Sequence, residues 1–63
     1  MKKKELKNLA QKIAKCEHII QTSQNAKEVA NAQDEIMRLS GAVKNFEDMM
    51  ILDEMIQDFL EKI

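Results

Sequence analysis

The stretch VANAQDEIMRLSGAVKNFEDMM, residues 29–50, decides how many helices the chain has. Its apolar residues Val29, Ala32, Ile36, Leu39, Val43, Phe46 and Met50 alternate steps of three and four, the period of one helix face, and the pattern passes through Gly41 without a miss. Against continuity stand Ser40-Gly41, a plausible helix end, and Asn45 followed by Glu47 and Asp48, a plausible cap with acids at the positive end of a helix dipole. A glycine inside a helix costs only about 1 kcal/mol relative to alanine, which packing overrides. The periodicity therefore predicts one long helix from about residue 26 to 62, kinked near Gly41, with a break at about 41–45 as the alternative.

Upstream, Leu6, Leu9, Ile13, Cys16 and Ile20 repeat the same spacing, and Ala10, Ala14 and Ile19 widen the stripe. These residues predict a helix over about 3–22. The polar run Gln21–Asn25 then favours a turn at about 22–25, because its side chains bond their own backbone in competition with helix. Asn25 is placed to cap the second helix, with Glu28 at the third helical position reaching back to the cap residue. A short turn packs the two helices antiparallel. The chain has no proline, one glycine and two aromatic residues, and is rich in Lys, Glu, Ala, Gln, Met and Leu, a composition that favours helix throughout. The expected class is all-α: a helical hairpin, 1–63 as one domain, assembled as a homo-oligomeric bundle.

Oligomerisation is expected on two grounds. A 63-residue chain hides only about 60% of its unfolded surface, and it has neither a second cysteine nor a zinc-ligand set to add stability. A helix continuing to residue 62 would also outrun the first by roughly 25 Å at 1.5 Å per residue. Its end carries Met49, Met50, Ile51 and Leu52 in succession, which cover the whole circumference of a helix. The expected interface is Phe46, Met49, Met50, Leu52, Met55, Ile56, Phe59, Leu60 and Ile63. Residues 1–22 hold six lysines against Glu5 and Glu17, a net +4, and residues 46–63 hold six acids against Lys62, a net −5. Such an asymmetry suggests that opposite ends meet in an antiparallel assembly.

Little points to catalysis. His18 has no partner ligand four residues away, since Ala14 and Thr22 flank it, and no metal or other cofactor is expected. Cys16 sits on the apolar stripe, where a small hydrophobe is the ordinary role. Ser23 and Ser40 have no base at a recognisable spacing. Glu47, Glu54 and Glu61 stand seven apart, yet the Glu-x-x-His partner of a helical carboxylate metal site is absent, so they read as a solvated stripe. The lysine-rich start lacks aromatic residues to stack a base, and the whole chain carries a net charge of −1, so nucleic acid is not the expected partner. No stretch approaches the roughly 20 apolar residues that cross a bilayer. Glu5, Lys7 and Asn8 stand where the apolar part of a signal peptide would begin, so a cytoplasmic protein is expected.

The functional expectation is a non-enzymatic oligomer that sequesters or modulates a protein partner. Small, lysine-started chains of this kind look similar in general style to accessory proteins of phages and other mobile elements. Two alternatives belong to other classes. One is a sponge for a small nucleotide-like anion, held between subunits by Lys12, Lys15, His18 and Arg38. The other is a structural coiled-coil module.

Overall fold

The computed structural model describes residues 2–62, and they form three helices: α1 (Lys3–Thr22), α2 (Ala26–Ser40) and α3 (Phe46–Lys62). The long second helix expected from the periodicity is replaced by two. Its break has a local cause. The N–H groups of Ala42 and Val43 turn to the carbonyls of Leu39 and Ser40, three residues back, which tightens the end of α2. The Asn45 side chain then accepts from Glu47 N–H at 2.8 Å, while its carbonyl accepts from Met49, so Asn45 caps α3. Between these events Val43 is buried with the core, and anchors the linker.

The start of α2 follows the same chemistry. Asn25 Oδ1 accepts from Lys27 N–H at 3.0 Å and Glu28 N–H at 3.2 Å. Glu28 does not reach back to the cap residue; its Oε2 accepts from Ser23 Oγ, and Ser23 Oγ in turn accepts from Asn25 N–H. Ser23 thus takes the place expected of Glu28, because its hydroxyl lies two residues from the N–H it serves. At the end of α1, Ser23 N–H returns to the Ile19 carbonyl and Thr22 Oγ1 donates to the His18 carbonyl.

α1 is the central element. α2 and α3 both pack against it, and among the described residues no α2 residue brings its Cα within 8 Å of an α3 residue. Lys3 and Leu6 share a cleft with Asp48 and Ile51, while Ala14 and Lys15 share a groove with Phe59 and Lys62, so α3 runs parallel to α1. The core is Leu6, Ala10, Ile13 and Ala14 from α1, Val43 from the linker, and Leu52 and Ile56 from α3. Leu9, Ile36, Leu39, Met55, Phe59 and Leu60 border it, half-buried. The row Leu6, Ala10, Ala14 explains the seat of α3, since two alanines one helical turn apart let a neighbouring helix approach closely. The centre of burial is therefore displaced from Leu9, Cys16 and Ile20, which are only half covered, toward the alanines.

Candidate apolar contact surface at the start of helix 3

The nine residues expected to form an interface divide in two. Leu52 and Ile56 are buried within the chain itself, and Met55, Phe59 and Leu60 are half-buried beside them. Cover by another subunit was required of an unbroken second helix; with the break, α3 folds back and α1 of the same chain covers Leu52 and Ile56. Ile63 lies outside the described residues. The remaining three, Phe46, Met49 and Met50, stay exposed at 76%, 45% and 53%.

These three occupy the first five residues of α3. On a helix, positions 46 and 50 lie one above the other and 49 beside them, so the side chains form one patch that flanks the Leu52–Ile56 face, with Met49 at its edge. Ile51 is also exposed but lies on the opposite flank, where it lines the cleft with Lys3, Leu6 and Met55. Met37, 73% exposed, sits in the last turn of α2 and is brought to the same end of the molecule by the linker. The Met49 to Leu52 run is thus resolved by direction: Leu52 points inward, Met50 is the most exposed of the four, and Met49 and Ile51 flank the buried face on either side. Lys44, Glu47 and Asp53, all exposed, surround the patch with charge.

The charge asymmetry is met inside the chain. The cleft between α1 and α3, about 480 Å³, is bordered by Lys3 on one wall and by Asp48, Glu54 and Asp58 on the other; a neighbouring groove adds Lys7 and Lys62. Opposite ends need no second subunit to meet, because α1 and α3 lie side by side. With three carboxylates to one lysine, this cleft repels an anion.

Of the four candidate anion-binding residues, Lys15 lines a groove with Lys62, Gln11, Ala14 and Phe59. Lys12, Lys15 and His18 follow one another at three-residue spacing along α1, whereas Arg38 is on α2 and donates from its Nη2 to Glu35 Oε2 at 3.0 Å. The two grooves described above and the one that holds Lys15 do not bring two of the four together.

No family model, curated protein or solved structure matches the chain. The site therefore rests on its own geometry. Burial pushes the Cys16 thiol above its ordinary range, and the nearby Glu35 carboxylate adds to the rise, so the group stays a neutral thiol rather than a nucleophilic thiolate. Among the described residues no cluster of His, Cys, Asp and Glu is arranged to hold a metal ion. No described helix is long and apolar enough to cross a membrane. The expected interface left out Met37 and Ile51: Met37 lies off the heptad stripe, although with Met49, Met50 and Met55 it belongs to a set of methionines suited to an adaptable protein contact, and Ile51 was one member of a run assigned to burial on more than one side.

Proposed function

We propose that this chain is a non-enzymatic binding protein that works as an oligomer and sequesters or modulates a partner, using the start of α3 as its contact surface. The observation that supports this reading is Phe46, three-quarters exposed in the first turn of a helix, with Met49 and Met50 beside it. Leaving apolar area in water forgoes about 25 cal/mol per Å². An exposed aromatic flanked by two flexible thioethers and rimmed by charge has the make-up of an interface centre, where aromatic residues and methionine are enriched and charge stands at the edge. A scattered exposed leucine would mean nothing; three large apolar side chains within five residues form a patch.

Phe46→Asp tests the reading without disturbing the fold, because the side chain it replaces makes little of the core. Native mass spectrometry is expected to find the wild-type chain assembled and the variant monomeric, while circular dichroism shows the variant still helical and melting cooperatively. A wild-type monomer at tens of micromolar, with no retained partner from a lysate, overturns the proposal.

A further inference from the structure

We propose that two copies of this chain associate by exchanging α3: the linker 41–45 becomes helical, α2 and α3 join into one helix, and each α3 takes on the other copy's α1 the seat it has on its own. The inference rests on the self-association proposed above and specifies its mechanism.

Four observations carry it. First, α3 is held by α1, with no α2–α3 approach closer than 8 Å between Cα atoms. Detaching α3 breaks the interface built on Leu52 and Ile56 against Leu6, Ala10, Ile13 and Ala14, which exchange rebuilds, while Val43, buried in the same core, turns with the linker. Second, the linker is close to helix already. Gly41 lies at φ −63°, ψ −18°, no described residue has a positive φ, there is no proline, and the N–H groups of Gly41, Ala42 and Val43 donate to carbonyls three or four residues back. Only Lys44 and Asn45 separate this turn from α3. Third, the apolar period of Ile36, Leu39, Val43, Phe46 and Met50 runs through the linker, and the break is what leaves Phe46 and Met50 in solvent. In a joined helix they extend the stripe of α2 across the hinge, where the two long helices pass each other antiparallel and can cover them. Fourth, the charge match of residues 1–22, net +4, with residues 46–63, net −5, serves the seat equally well from either copy.

The direction of the helices agrees. α2 runs antiparallel to α1 and α3 parallel to it, so straightening the hinge sends α3 toward a second α1 of opposite direction, which is two-fold symmetry.

The test is an isotope-filtered nuclear Overhauser experiment on a dimer refolded from equal parts of ¹³C-methyl-labelled and unlabelled chain. Exchange predicts contacts between Leu6 or Ile13 methyls and Leu52 or Ile56 methyls that run from one chain to the other. A dimer in which those contacts stay within one chain overturns exchange and leaves face-to-face association standing; a monomer overturns both. Two hinge variants give a second readout. Asn45→Ala removes the cap that starts α3, and at about fivefold per chain it raises the dimer constant about 25-fold. Lys44→Pro, at an exposed position outside both helices, bars a helical hinge and returns the chain to monomer; an equally tight dimer from Lys44→Pro overturns the joined helix.

Discussion

Ile13 and Phe46 are both large apolar residues on helix faces, and both fall on regular three-and-four spacing, yet one is 1% exposed and the other 76%. Their difference sets what a substitution does at each. Ile13 is surrounded by both neighbouring helices, so Ile13→Ala leaves a cavity and is expected to destabilise the fold by about 2–5 kcal/mol, a large share of what so small a domain has. Urea denaturation followed by circular dichroism checks it, and a shift under 1 kcal/mol would contradict the placement of the core. Phe46→Asp, by contrast, is expected to abolish assembly and to lower the urea midpoint only by what association adds, to the value the wild-type chain itself reaches when diluted to monomer. The Arg38–Glu35 pair illustrates the other side of the residue scale. It is well formed, but its side chains are 76% and 44% exposed, and pairs of that kind contribute little.

At the scale of the element, caps explain the boundaries better than propensity does. α2 begins where Asn25 accepts two backbone N–H groups, and α3 begins where Asn45 accepts one and its carbonyl a second. Asn25→Ala is expected to cost about 1 kcal/mol, read as a lowered melting temperature, without changing the number of helices. A melting temperature equal to that of the wild type would show that Ser23, which also bonds in this turn, carries the boundary alone. Both asparagines were visible in the sequence as caps. The helical class and the apolar stripe of α1 were visible too, because spacing of three and four is a property of a single element and needs no knowledge of its neighbours. The break between α2 and α3 was not decided at this scale: an unbroken apolar period and a good cap coincide at residues 43–46.

In the whole molecule the order α2–α1–α3 places one helix between two others, and the two outer helices depend on it separately. Removing α3 takes Leu52 and Ile56 from the core and uncovers Ala10 and Ala14. Truncation after Lys44 is therefore expected to abolish cooperative melting, and a sharp transition in that fragment would mean that α1 and α2 fold as a pair. The candidate surface was only partly legible. Phe46, Met49 and Met50 were expected at a contact and are exposed, but Leu52 and Ile56 were expected there too, and the same chain buries them. The anion-binding set was chosen by charge alone, and charge does not say which side chains share a groove. By itself the sequence determined that the chain is helical, where α1 carries its apolar stripe and which asparagines cap, since each of these follows from residues within one or two turns of each other. The tertiary structure alone decided that α3 turns back onto α1. Which of its apolar residues face inward depends on a surface that lies forty residues earlier in the chain, and no local pattern contains it.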